Sequence, residues 1–259
     1  MLPMALAHSL GAVAVAQVLR KFRRRYIYPW LKPLYRPLIP YKRATFAGIR
    51  VAYKGYLDGG GRGFGQDFIP LLQRYGLPKQ NRVFEWCAGP GFIGFSMLGH
   101  GLCSSLCLAD VNPEAVRACQ QTVGENALSD RVSVYCSDNL LNIPSTERWD
   151  LVVSNPPHFI DEYIGNLRAH DPDWRIHREF FRTVEPFLKP GGVILLQENN
   201  AGSTVETFRP MVEEAGLRLA FSHGDLPFRT ALHQYYFLGI MRASDTAPPW
   251  TRGTKSSLS

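Results

Sequence analysis

A chain of 259 residues is long enough for one α/β core with an N-terminal extension, or at most two small domains. Its 45% hydrophobic and 20% charged content is ordinary for a soluble globular protein; its five cysteines (Cys87, Cys103, Cys107, Cys119, Cys136) form no CxxC or Cys/His spacing, which argues against a disulfide framework or a zinc site and fits a reducing cytosolic setting. The net charge of +7 sits at one end: eleven Lys or Arg lie between Arg20 and Lys54 and no acid precedes Asp58, whereas 18 basic face 22 acidic residues from there on.

Residues Leu2 to Ala16 are largely apolar and are followed by the basic run Arg20 to Arg25. A secretory signal carries its charge before the apolar stretch, so export is disfavoured, and the stretch falls short of the ~20 residues of a bilayer span. A helix packed on the body, a surface-bound amphipathic helix and a true membrane span all remain open for residues 1–25, the second giving peripheral membrane contact. Prolines at 29, 33, 37 and 40 rule out a continuous helix and predict an extended strap. Arg43 to Tyr56 alternates as a short hairpin, Gly59 to Gly63 reads as a flexible break, and an amphipathic helix is predicted over Asp67–Tyr75.

From Arg82 the rhythm turns to strand and helix. Short apolar runs at Arg82–Trp86, Ser105–Ala109, Arg131–Cys136, Leu151–Ser154 and Val193–Gln197 alternate with helical patterns at Gly94–Gly99, Pro113–Ala127, Arg175–Leu188 and Thr204–Ala215. Such alternation predicts a mainly parallel sheet covered by helices on both faces. Leu217–Ser222 and Tyr235–Met241 add an antiparallel closing pair, and the Ser/Thr/Pro/Gly-rich tail, 243–259, is expected to be disordered. The predicted organisation is an extension over 1–63, a domain over 64–242 and this tail.

Four strand ends carry the chemistry. The first delivers Glu85-Trp86-Cys87-Ala88-Gly89-Pro90-Gly91, whose glycines let the backbone turn and approach a ligand ahead of a helix. The second ends in Asp110, about twenty residues on, where an acid can accept hydrogen bonds from both hydroxyls of a ribose. The third ends in Ser137-Asp138-Asn139, where an acid can accept from an adenine amino group. The fourth delivers Asn155-Pro156-Pro157-His158. The two prolines fix a rigid turn, and the Asn155 amide with the carbonyl after it can accept both hydrogens of an NH2 group, aiming its lone pair at a methyl donor.

With these residues in this order, the chain from about Phe64 to Met241 resembles the class I S-adenosylmethionine (SAM)-dependent methyltransferases, in particular the small-domain group with the Asn-Pro-Pro-aromatic motif. That group includes glutamine methyltransferases of release factors and ribosomal proteins and adenine or guanine N-methyltransferases of RNA and DNA. The resemblance implies a Rossmann-like α/β fold with a seven-stranded, mainly parallel sheet. It implies that Glu85, Cys87, Gly89 and Gly91 line the methionine end of SAM, Asp110 the ribose, Asp138 and Asn139 the adenine, and Asn155 both cofactor and substrate nitrogen. Asn155, Pro156 and His158 become the catalytic candidates.

Two residues depart from the family pattern: Cys87 stands at the usual first glycine and His158 at the usual Tyr or Phe. An imidazole can stack on a planar acceptor, move a proton, hydrogen-bond an unusual substrate, or serve a purely structural role. Pro157, His158, Trp174 and His177 are the candidate substrate-binding residues, the last two from the polar, aromatic run after the fourth strand; an N-cap and a packed Trp are the bland reading of that run. Glu198-Asn199-Asn200 offers a further substrate edge. The expected activity is methyl transfer to a planar nitrogen of a small molecule or a peptide or protein side chain, with an RNA or DNA base, reached through the basic segment 20–54, as the alternative. A SAM-binding protein without catalysis would have no need of the Asn155 clamp.

Overall fold

Hydrophobic runs four to eight residues long, each ending in a polar turn, form the sheet at the centre of this protein. The structure, a computed structural model, describes residues 36–161, 169–224 and 235–246. The chain divides into two compact units, Met1–Tyr41 and Lys42–Ser259. In the first, the described residues form a single 3-10 turn, Arg36–Leu38. The expected N-terminal helix, most of the proline strap and the end of the tail lie outside the described residues. No helix among the described residues is long and apolar enough to cross a membrane.

The second unit opens with the expected hairpin, β1 (Lys42–Phe46) and β2 (Ile49–Tyr53), paired antiparallel around Ala47-Gly48, both at positive φ. It falls in the same compact unit as the sheet. Helix α1 spans Gly61–Arg74 and starts inside the glycine run read as a break. Asp58 Oδ1 accepts the Gly60 and Arg62 N–H groups, and this acceptor stabilises a helix start that glycine content alone argues against.

The rest is β3 (Gln80–Glu85), α2 (Phe92–Gly99), β4 (Cys103–Asp110), α3 (Pro113–Glu125), β5 (Val132–Cys136), β6 (Trp149–Ser154), α4 (Arg175–Val184), β7 (Leu188–Asn199), α5 (Val205–Glu214), β8 (Leu217–His223) and β9 (Tyr235–Arg242). The sheet order is β5-β4-β3-β6-β7-β9-β8, parallel from β5 to β7 and antiparallel at the β7–β9 and β9–β8 contacts. The seven-stranded, mainly parallel sheet with its closing pair is therefore as expected. β7 begins five residues earlier than its apolar run, because Leu188 pairs with Trp149 ahead of the Lys189-Pro190-Gly191-Gly192 irregularity.

Alternate residues of each strand feed two cores. On one face Val83, Leu106 and Leu151 pack with Phe68, Phe92 and Phe95 of α1 and α2; on the other Phe84, Cys107 and Val152 pack with Phe180, Phe181 and Phe208 of α4 and α5. β3 has β4 on one side and β6 on the other, so the order reverses there. A crevice outside the carboxyl ends of strands at such a reversal is where α/β sheets bind ligands.

Candidate active site

The turn after β3 is built from left-handed residues. Cys87 (φ 52°), Gly89 (φ 52°) and Gly91 (φ 80°) bring the chain from strand to helix in six residues. Glycine suits this conformation; Cys87 adopts it with a side chain, the strained exception at the position where the family pattern has glycine. A Cβ on Gly91 would lie 2.7 Å from the Phe95 ring, so this glycine serves turn packing and does not line the cavity. On Gly89 a Cβ would meet nothing within 4 Å: that backbone faces open space.

Glu85 lies beneath the turn. Its Oε2 accepts the Gly94 N–H at 2.6 Å and its Oε1 the Ile93 N–H at 3.3 Å, so the carboxyl group caps the first turn of α2. Burial pushes its pKa up to about 8, against the pull of the two amides and with a further push from Asp110. Asp110, ending β4, accepts the Gly89 N–H at 2.6 Å and the Asn112 N–H at 2.8 Å, which fixes the turn relative to the second strand. Beyond β5, Asp138 is exposed. Asn139 (φ 47°) is buried, with Oδ1 accepting from Trp86 Nε1 at 2.9 Å and Nδ2 buried without a partner among the described residues.

At the end of β6, Ser154 Oγ donates to the Trp86 carbonyl at 2.6 Å, tying the fourth strand end to the first. Asn155 follows, its Oδ1 buried and without a hydrogen-bond partner among the described residues. A buried unpaired acceptor costs on the order of 1–3 kcal/mol, a cost that an external donor placed there would offset. His158 meets Phe159 edge-on at 4.8 Å and Tyr235 at 6.3 Å. Burial pulls its pKa down to about 4, the Pro156 carbonyl opposing and the His177 charge adding, so the imidazole is neutral at pH 7.

These strand ends surround one cavity of about 730 Å³. Of the residues singled out from sequence, Glu85, Cys87, Gly89, Asp110, Asp138, Asn139, Asn155, Pro156, Pro157 and His158 line it. Trp174 and His177 do not. Trp174 packs edge-on to Phe208 at 5.0 Å, and His177 is fully buried between Asp171 and Glu198. Their helical spacing was legible, but the face they occupy turns to the second core. Sequence reasoning missed Trp86, Ile176, Tyr235 and the wall formed by Leu57, Gly59 and Gly61. The strand-end position of Trp86 was a usable signal; the glycine run gave none, since its composition suits a hinge as well as a wall.

Residues 67–216, more than half the chain, match the methyltransferase small domain family. The chain is 28% identical over 138 residues to a release factor glutamine methyltransferase of Clostridium acetobutylicum, covering 48% of each protein. It is 26% identical over 138 residues to a tRNA1(Val) (adenine(37)-N6)-methyltransferase of Parabacteroides distasonis, covering 51% of this chain and 57% of that one. The fold is shared with a T. thermophilus 16S rRNA methyltransferase in complex with AdoMet and guanosine, at a TM-score of 0.53 and 18% identity over 78% of this chain and 50% of that one. The chain spans about half the length of the curated relatives it matches.

Proposed function

The chain belongs to the methyltransferase small domain family, and from that premise we propose that it transfers a methyl group from SAM to a planar nitrogen of a small molecule or of a peptide or protein side chain. The observation that carries this reading is the orphaned Oδ1 of Asn155, buried at the carboxyl end of β6 beside two prolines. An NH2 group placed there donates one hydrogen to Asn155 and leaves its lone pair free toward the cavity.

The residues fit SAM as cofactor. The backbone at Gly89 has room for close approach, the unpaired Asn139 Nδ2 awaits an acceptor, and Asp110 ends the strand beside the turn. In this reading Glu85, Cys87 and Gly89 hold the methionine end, with Glu85 acting by fixing the start of α2. Gly91 holds the turn that presents them. Asp110 holds the ribose, and Asp138 and Asn139 the adenine. When bound, SAM supplies a methyl group on a positively charged sulfur. Asn155 and the Pro156 carbonyl orient the acceptor, Pro157 and His158 border it, and the apolar walls exclude water. Neutral His158 can accept a proton released from the product nitrogen.

Support for an uncharged acceptor comes from the walls. Among the described lining residues are the carboxyl groups Glu85, Asp110 and Asp138 and no Lys or Arg, so an anionic phosphate finds no partner there. The basic segment 20–54 and the relative that acts on tRNA favour a nucleic-acid base as the second reading. The test uses methyl-labelled SAM with nucleic-acid, protein and small-molecule extract fractions. Asn155→Ala is expected to bind S-adenosylhomocysteine within about threefold of the wild type and to lose roughly a hundredfold or more in transfer. Undiminished transfer by this variant overturns the positioning role, and label in a nuclease-sensitive fraction selects the second reading.

A further inference from the structure

Three ionisable side chains outside the cavity wall are fully buried together. His177 Nδ1 lies 2.7 Å from Asp171 Oδ2 and its Nε2 lies 3.2 Å from Glu198 Oε1, inside a shell made by Trp86, Trp174, Phe181 and Phe208. We propose that Asp171, His177 and Glu198 form a latch that positions the acceptor segment 155–159 against the end of β7. This role rests on the methyltransferase reading of the same site.

Burying such a group is expensive, and apolar side chains of similar volume would serve stability as well or better. What the triad adds is geometry. Both the His158 and Phe159 N–H groups donate to the Ala169 carbonyl, at 3.1 and 2.9 Å, and the Asp171 N–H donates to the Phe159 carbonyl at 2.7 Å. The acceptor segment is thus tied by backbone bonds to residues 169–171. The Asp171 carboxylate takes the Ile176 N–H at 2.8 Å and the His177 N–H at 3.2 Å, capping α4, and holds the His177 ring. His177 then reaches across to Glu198 on β7. The next residue, Asn199, lines the cavity, and its carbonyl accepts the Gly202 N–H at 2.9 Å. Gly202 in turn lies so close under the His158 carbonyl that a Cβ there would collide with it. The contacts run in a closed ring from His158 through Asp171, His177, Glu198, Asn199 and Gly202 back to His158, around the acceptor end of the cavity.

The charges agree with this placement. Burial pulls the His177 pKa down, but the Glu198 and Asp171 carboxylates together push it up to about 9, so the ring is an imidazolium at pH 7. Burial raises the Glu198 pKa, with His177 opposing. The other titratable groups nearby are the Tyr236 hydroxyl on β9, bonded to Ser203 Oγ, the Cys87 thiol and the His158 imidazole, all neutral at pH 7. His177 is therefore the cation between two carboxyl groups and acts as a positioning residue through Asp171.

The test combines nitrogen NMR of labelled histidines with amide hydrogen exchange on the full chain, using S-adenosylhomocysteine as the probe ligand. In the wild type both ring nitrogens of His177 are expected to carry protons at pH 7.5. His177→Gln should speed exchange of the His158 and Phe159 amides by about tenfold or more while amides of β4 and α2 keep their protection. Glu198→Gln, which keeps an acceptor for Nε2, should stay within about threefold of the wild type. Unchanged exchange at His158, or acceleration spread evenly over the whole domain, overturns the latch; if His177→Gln does not fold, Asp171→Asn, which keeps an acceptor for the α4 amides, gives the same two readings. Failure of the wild type to bind S-adenosylhomocysteine would instead defeat the methyltransferase reading, while the exchange rates at His158 and Phe159 would still decide for or against the latch.

Discussion

Glu85 shows how a side chain can sit at a ligand cavity and still serve the fold. The sequence placed it beside the cofactor because it ends the first strand of the motif; the structure adds that both its oxygens accept α2 amides. Its pKa of about 8 in the fold lies above the ordinary carboxyl value, so the folded chain holds this proton more tightly than the unfolded chain does. The stability tied to that proton is complete below about pH 4.5 and is lost as pH rises to 8. His177 has the same sign in a later window, from 6.5 to about 9, and Glu198 shares the direction. The urea midpoint of the wild type is therefore expected to fall from pH 5 to pH 9. Glu85→Gln should flatten the portion between pH 5 and 6.5; an unaltered slope there in the variant would remove Glu85 as its source. Cys87 was legible as a departure from the glycine pattern, but its left-handed backbone was not, because sequence records the residue and not its φ.

At the level of elements, the turns decide more than the helices and strands they join. Strand and helix types from β3 to β9 follow from hydrophobic period and run length, since the central strands β6 and β7 are buried on both faces and α4 buries one stripe. Their ends depend on local acceptors. Asp58 starts α1 early, and Asn112 accepts the Glu114 N–H to start α3 beside Pro113, where the pattern predicted it. The turn after β7 has a tighter constraint. A methyl group at Gly202 would strike the His158 carbonyl and come within 2.6 Å of the Phe159 ring. Gly202→Ala is expected to cost about 1–3 kcal/mol in stability through overpacking and to depress methyl transfer while S-adenosylhomocysteine still binds. Calorimetry and the labelling assay check both parts, and full transfer would show that the acceptor segment tolerates displacement.

At the level of the whole molecule, one residue at the amino end of the sheet holds four strands in register. Arg82 of β3 donates to the Leu106 carbonyl on β4, to Ser133 Oγ on β5 and twice to Glu147 ahead of β6, while its own N–H donates to Asp150. The Arg82 and Glu147 side chains are 18% and 12% exposed, so removing one leaves the other largely desolvated and alone. Arg82→Ala should lower unfolding free energy by ~3 kcal/mol in urea titration; a loss below ~1 kcal/mol would mark the pair as a screened surface contact. The hairpin is equally integral. Ala52 N–H donates to Thr122 Oγ1 at 2.9 Å and Arg50 N–H to Asn126 Oδ1 at 3.0 Å, fastening β2 to α3 across seventy or more residues of chain. By itself the sequence determined the alternation of strands and helices, the parallel sheet and the order of the four polar strand ends, because period and turn chemistry are local properties. Only the tertiary structure decided that the hairpin joins the domain, that the glycine run walls the cavity, and that Trp174 and His177 turn away from it. Those outcomes depend on contacts between residues far apart in the chain, such as Ala52 with Thr122 and His177 with Glu198, whose distance no local pattern encodes.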